Sequence, residues 1–310
     1  MIQLFNINSH TIDTSEFSSL LHDKIVIEYE KKIANYVGAK YACAINSATN
    51  AIFLIFKMEE YINPRIVKIP SIIPPVVANA IITSGNKVEF TDNVKWVGNS
   101  YVLHKFRSYK VVDSAQKLER NQFTKECKPN DLMVFSHYPT KPLGGADGGV
   151  IVTDDYNKYK WMKEAVLNGT TFANNNWERG ISFPGYKFYM SSIQAKIIMN
   201  NFKYYDKKIS GLQHLVDTYN SELGYENTSK HLYRIEVLDN EKFVKRMKEA
   251  GIICGIHYSA LHLNPIYNDG KELGCPKSKK LQKRTVSLPM NENLSFNETE
   301  YIIDKVKENI

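Results

Sequence analysis

Residues 135–155 read FSHYPTKPLGGADGGVIVTDD. One lysine, Lys141, stands ahead of Gly144, Gly145, Gly148 and Gly149, and behind them runs the apolar segment Val150, Ile151, Val152. A surface lysine needs no such setting, because its charge is solvated wherever it points. Glycines let a backbone turn tightly or approach a ligand closely. Pro139 and Pro142 stiffen the chain on both sides of the lysine. The stretch therefore reads as a positioned lysine on a rigid turn that leads into a strand. A plain glycine-rich turn would use the same residues with no chemistry, and the stretch alone admits both.

Outward from this turn, strands and helices alternate. Residues 24–37 form an amphipathic pattern, with Ile25, Ile27, Tyr29, Ile33, Tyr36 and Val37 near helical spacing. Residues 41–45 are a short apolar run that suits a buried strand, and Asn46-Ser47-Ala48-Thr49 opens a helix over 50–60. Strands are predicted over 66–69, 87–90, 109–112, 132–136 and 150–153, and a helix runs from Pro74-Pro75 to about residue 83. This predicts an α/β fold in which a mostly parallel sheet is flanked by helices on both faces. After residue 200 the pattern changes to a helix over 202–223, a strand over 231–237, a helix over 241–250, a short strand over 252–257 and a helix from residue 298. The expected division is a large domain over 1–205, whose first 22 residues are an arm, and a smaller α+β domain over 206–310.

Composition narrows the function classes. The chain has 310 residues, 43% hydrophobic and 24% charged, which is ordinary for a soluble globular protein with a buried core. Its apolar runs fall short of a membrane span, and MIQLFNINSHTIDTSEF lacks the basic and apolar regions of a secretory leader. Cys43, Cys127, Cys254 and Cys275 are widely spaced and form no CxxC pair. Neither a metal site nor a disulfide framework is expected, and a cytoplasmic location fits. The net charge of +7 is scattered, with one dense cluster at 277–284 that reads as a solvated face. No nucleic-acid motif accompanies it, so a small phosphorylated partner fits better than nucleic acid.

The residues with chemistry fall at predicted strand ends, where open α/β sheets bind ligands. Ser47-Ala48-Thr49 lies at a strand end and helix start, a place that can cradle a phosphate or serve only as an N-cap. Asp113 closes one strand and Ser136 another, and Lys141 follows five residues after Ser136. A phosphate cradle, a carboxylate and a held lysine together suit pyridoxal phosphate. Its aldehyde needs a lysine, its ring nitrogen an acid, and its phosphate a helix N-terminus.

In this combination the sequence resembles the sugar aminotransferases of the DegT/StrS type, within the type I fold of pyridoxal-phosphate transferases. The resemblance runs from about Tyr29 to the C-terminus. YEKKIANYVGAKYACAINSATNAI resembles the helix and phosphate loop, VVDSAQ the Asp-x-Ala-Gln segment, and FSHYPTKPLGGADGGVIVTDD the lysine segment. GYKFYMSSIQAKI resembles the segment that crosses to a partner subunit, and GIHYSALHLNPIY and SLPM the small-domain motifs. The resemblance implies that Lys141 carries the cofactor and shuttles the proton, that Asp113 holds the ring nitrogen protonated, and that Gln116 meets the ring's 3-oxygen. It places the phosphate on Ala48, Thr49 and Ser136. It further implies a homodimer with shared active sites, L-glutamate as amino donor, and a nucleotide-linked ketosugar as acceptor. His257, Tyr258 and His262 match the segment near the sugar, with a lean to amination at C4.

The chain departs from the family's pattern in several places. Ala48 replaces a glycine of the phosphate loop, Pro74 the aromatic residue that stacks on the ring, and Ala260 a proline. Lys187 stands for the asparagine that reaches the partner's phosphate, where a cation would serve as a contact in trans, and Tyr189 stands for an arginine. A strand–helix unit is largely missing between the strand at Val88 and VVDSAQ, although VGNSYVL keeps part of a strand. These departures leave room for a non-catalytic relative with a regulatory or structural role. Sugar dehydratases of the same family are a further alternative. They carry histidine in place of the cofactor lysine, and Lys141 argues against them.

Overall fold

Helix caps and strand alternation build the frame. The computed structural model describes residues 1–59, 64–171, 178–268 and 274–310. Helix α1 spans Lys24–Val37, starts under the Asp23 carboxylate and stops at Gly38, whose φ of 78° is cheap only for glycine. It buries Val26, Tyr29, Ile33 and Val37. After strand β1 (Tyr41–Ile45), helix α2 (Ala48–Met58) is capped by Ser47, whose hydroxyl accepts from the Asn50 amide at 3.2 Å. The helix thus begins two residues earlier than its sequence pattern suggests, at Ala48 rather than Asn50. Its expected last residue, Glu60, lies outside the described residues.

Next come β2 (Ile66–Pro70), α3 (Pro75–Thr83), β3 (Lys87–Thr91), β4 (Tyr101–Lys105), β5 (Lys110–Asp113), the short helix α4 (Gln122–Glu126), β6 (Leu132–Ser136) and β7 (Gly149–Thr153). Five strands form one sheet in the order β1-β7-β6-β5-β4, and the parallel pair β2-β3 lies alongside β4. The pairing is mixed. β5 and β6 are parallel, whereas β7 runs antiparallel to both β1 and β6, and β4 antiparallel to β5. Strands β1, β5 and β6 consequently point the same way, and their carboxyl ends share one edge.

The segment that departs from the family's pattern keeps a strand, β4, but no helix. Only residues 106–109 separate β4 from β5. A parallel return needs a crossover of about a dozen residues or more, so so short a link forces an antiparallel hairpin.

Each central strand divides its side chains between two cores, as the period of two requires. Cys43, Ile45, Val111, Leu132, Val134 and Ile151 face α2 and α3, while Ala42, Ala44, Val112, Met133, Phe135, Val150 and Val152 face α1. Helix α6 (Ser192–Phe202), opened by a Ser191–Gln194 capping box, packs beside α1. Neither it nor α5 (Tyr156–Ala165) stands out in the sequence. Helices thus cover both faces, and the α/β fold is the one expected.

The long helix predicted over 202–223 is α7, Tyr205–Leu223; Phe202, its expected first residue, instead ends α6. A third core gathers α7 with β8 (Tyr233–Glu236), α8 (Asn240–Glu249), β9 (Thr285–Leu288) and α11 (Phe296–Asn309). The expected strand over 252–257 is not regular. It makes isolated bridges from Ile252 to Ile2 and from Gly255 to Ser287. The chain's start is held there, with the Ile2 amide on the Gly251 carbonyl at 2.8 Å and the Ile253 amide on the Ile2 carbonyl at 2.9 Å. Two short helices, α9 (Pro265–Asn268) and α10 (Pro276–Leu281), lie between α8 and β9.

The turn from β6 to β7 is held from within by His137, which is 0% exposed. Its Nδ1 lies 2.8 Å from the Leu143 carbonyl, and a carbonyl only accepts, so Nδ1 carries the proton. Nε2 therefore accepts from the Tyr29 hydroxyl of α1. The His137 amide donates to Gly148 at 2.9 Å, and its carbonyl accepts from Gly145 at 2.8 Å. Core packing, rather than chemistry, is the role this residue fills.

Burial pushes the His137 imidazole down to about 4. Its folded pKa is below that of the unfolded chain, ~6.5, so the unfolded state takes up the proton first. His137 therefore favours folding above pH 6.5 and ceases to do so as the pH falls toward 4, with a loss of roughly 2 kcal/mol by pH 5. Denaturant midpoints measured from pH 7 to 5 should fall in the wild type, and His137→Asn, although weaker at pH 7, should fall less steeply.

Candidate active site

Four segments meet at the edge shared by the ends of β1, β5 and β6. Ser47, Ala48 and Thr49 follow β1, Asp113 ends β5, Ser136 ends β6, and Lys141 lies on the β6–β7 turn. With Pro74, Gln116, His257 and Tyr258 they line one cavity of about 440 Å³.

The first turn of α2 forms one wall. Ser47 uses its hydroxyl as the cap, and the amides of Ala48 and Thr49 have no acceptor within the helix. They add to the positive end of the helix dipole, a setting that favours an anion. This turn lies directly on β7. A Cβ built on Gly149 would stand 2.5 Å from the Ala48 nitrogen and 2.6 Å from the Ser47 carbonyl carbon, so only glycine allows the approach. Ala48 is not among the described residues with positive φ, and its methyl in place of glycine carries no backbone strain. Ser136 Oγ accepts from the Tyr138 amide at 3.3 Å.

Asp113 is 4% exposed. Its Oδ1 accepts from the Ala115 amide at 2.9 Å and its Oδ2 from the Tyr101 hydroxyl at 3.0 Å. Burial raises its pKa, against the pull of Ala115, Tyr101 and Lys141. Gln116 is oriented from both ends: Oε1 accepts from the Gly98 amide at 2.6 Å, and Nε2 donates to the Tyr258 hydroxyl at 2.9 Å. His257 pairs through Nδ1 with Ser287 Oγ at 2.9 Å, and burial, then Lys141 and Arg234, hold it neutral at about 4.

Lys141 has no side-chain hydrogen bond or ion pair among the described residues. Burial lowers its pKa to about 8, although Asp113 pulls the other way. The cavity thus holds an amine close to its neutral form, a buried carboxylate and a helix N-terminus. These three fit the aldehyde, ring nitrogen and phosphate of pyridoxal phosphate.

Two expected residues stand elsewhere. Lys187 is exposed and bridges Leu167 through its backbone, outside the cavity lining. His262 is 2% exposed and pairs through Nδ1 with the Ser71 hydroxyl, so its ring is spent on packing the Ser71 turn rather than on the cavity. Sequence reasoning did not single out every lining residue, and Phe5, Trp96 and His231 are among those it missed. Phe5 stacks on His231 with centroids 5.2 Å apart, and Trp96 donates from Nε1 to the Ile72 carbonyl at 2.9 Å. His231 opens the strand predicted over 231–237 but carries no motif, Phe5 and Trp96 lie in no predicted element, and only the fold brings them here.

Known proteins resemble this chain over nearly all of its length. The model of the DegT/DnrJ/EryC1/StrS aminotransferase family matches residues 8–99 and 111–307. A UDP-4-amino-4,6-dideoxy-N-acetyl-beta-L-altrosamine transaminase of Campylobacter jejuni subsp. jejuni is 23% identical, over 96% of this chain and 94% of its own. The spore coat polysaccharide biosynthesis protein SpsC of Bacillus subtilis is 24% identical, over 96% of this chain and 92% of its own. The solved PLP form of Spr1654 from Streptococcus pneumoniae superposes with a TM-score of 0.79 at 19% identity, covering 99% and 98% of the two chains.

Added pyridoxal phosphate should give the purified protein a visible absorbance band that Lys141→Ala does not develop. Only the neutral amine attacks an aldehyde. The rate of band formation should therefore climb as the pH rises through about 8, and a pH-independent rate would assign the attack to another group.

Proposed function

Since this chain belongs to the DegT/DnrJ/EryC1/StrS aminotransferase family and is a sugar aminotransferase, we propose that it moves an amino group from L-glutamate to a keto-deoxysugar carried on a nucleotide. The product would serve surface polysaccharide or glycan synthesis. The observation that supports this most is Lys141, with no hydrogen-bond or ion-pair partner among the described residues, facing the same cavity as Asp113 and the first turn of α2.

Pyridoxal phosphate, when bound, supplies an aldehyde for the donor's nitrogen and a ring that withdraws electrons. The chain's residues do the rest. The Ala48 and Thr49 amides with Ser136 would bind the phosphate, Pro74 would cover one face of the ring, Gln116 would meet its 3-oxygen, and Asp113 would pair with its nitrogen. Lys141 would hold the cofactor through its amine and, when free of it, would move the proton between the substrate carbon and C4′ as base and acid. The half-reaction with glutamate leaves 2-oxoglutarate, and the half-reaction with the ketosugar delivers the amine.

His257 and Tyr258 face the cavity from the C-terminal part of the chain and would meet the sugar, with a lean to C4. We assign residues 1–205 to the large domain and 206–310 to the small one. We further propose a cytoplasmic homodimer in which the exposed Lys187 reaches the partner's phosphate site.

L-Glutamate should bleach the visible band of the loaded protein and release about one 2-oxoglutarate per site. A UDP-linked 4-keto-6-deoxysugar should then restore the band. A band that glutamate leaves unchanged would remove glutamate as donor.

A further inference from the structure

The family match breaks off at residue 99 and resumes at 111, and β4 lies wholly inside that gap. The register of the hairpin sets Tyr101 opposite Asp113. A slip of one residue would turn Tyr101 to the other face of the sheet, and an irregularity between Val102 and His104 fixes the pairing on this side. Tyr101 is 9% exposed, and its ring lies tilted on Trp96 with centroids 4.6 Å apart. Trp96 is in turn tied to Ile72, two residues before Pro74. The tyrosine hydroxyl, so placed, donates to Asp113 Oδ2 at 3.0 Å.

We propose that Tyr101 is the positioning residue for Asp113, aiming its carboxylate at the ring nitrogen of the cofactor from a strand outside the family match. The inference rests on the cofactor reading of this cavity. Ala115 fixes one carboxylate oxygen and Tyr101 the other. Two donors on two oxygens set the plane of the group and leave lone pairs for a third partner. Both also favour the ionised form, which burial alone disfavours. Without the hydroxyl, Asp113 would turn more freely and take up a proton at higher pH.

The test is the affinity for pyridoxal phosphate across pH, read by quenching of tryptophan fluorescence, since Trp96 lines the cavity. Tyr101→Phe keeps the ring and removes the donor. It should bind about tenfold more weakly at pH 7, and the pH at which affinity falls on acidification should move up by about one unit. Val102→Ala perturbs the same strand at an exposed position and should change neither. In an Asp113→Asn background, Tyr101→Phe should cost little further. The proposal is overturned if Tyr101→Phe titrates like the wild type, if Val102→Ala shifts as far, or if the tenfold loss persists beside Asp113→Asn. Wild-type protein that neither binds nor is quenched would sink the cofactor reading and this inference together. Wild-type protein that binds, beside an unaltered Tyr101→Phe, would sink Tyr101 alone.

Discussion

The reversal of the chain between β6 and β7 is the constraint on which the site depends. β7 must return antiparallel to β6 and lie against β1, and the turn that accomplishes this carries Lys141. A free turn of that size would let a lysine wander. Here His137 closes it, spending both ring nitrogens and both backbone groups on α1 and on the turn itself. The same return brings Gly149 under the first turn of α2. One reversal thus sets the amine and the anion site relative to each other. The distance between them is a property of the sheet rather than of flexible side chains.

The electrostatics of the cavity follow from burial more than from pairing. Lys141 and Asp113 both have their neutral forms favoured by desolvation, and each pulls the other toward its charged form. Among the described residues they form no ion pair: Ala115 and Tyr101 hold the Asp113 carboxylate, and both side chains line the cavity. The surrounding histidines stay neutral: burial depresses His231 and His257, and the nearby Lys141 depresses them further. An amine in such company lies near the point where it can both give and take a proton. This is what a group that acts alternately as base and acid requires.

Much of the frame was legible where a local rule decides. α1 ends at Val37 because Gly38 follows, and β1, β6 and α3 are short segments whose apolar runs have clear stops. The motif residues Ser47, Asp113, Gln116, Ser136 and Lys141 meet in one cavity because strand ends that point the same way share an edge. What could not be read is tertiary. α5 is largely polar and α6 carries its apolar residues on more than one side, so neither shows a single strong stripe. His262 has the right type for a site, but Ser71 occupies its ring, and Lys187 is exposed outside this cavity, where only a partner subunit could bring it a phosphate. Tyr101, Trp96, His231 and Phe5 are ordinary aromatic residues in sequence, and only the hairpin, the Ile72 carbonyl and the pinned N-terminus give them a place.

The short link between β4 and β5 also bears on the time order of folding. Most of the sheet is assembled from distant pieces, with Tyr41 of β1 opposite Thr153 of β7, and such pairings wait on the slow closure of long loops. The β4–β5 pair needs only residues 106–109 to turn, and hairpins of this kind form in roughly 1–10 μs. Asp113 can therefore meet its tyrosine while the rest of the cavity is still apart. The most deeply buried carboxylate of the site would then enter the closing core already hydrogen-bonded, spared the cost of being desolvated alone.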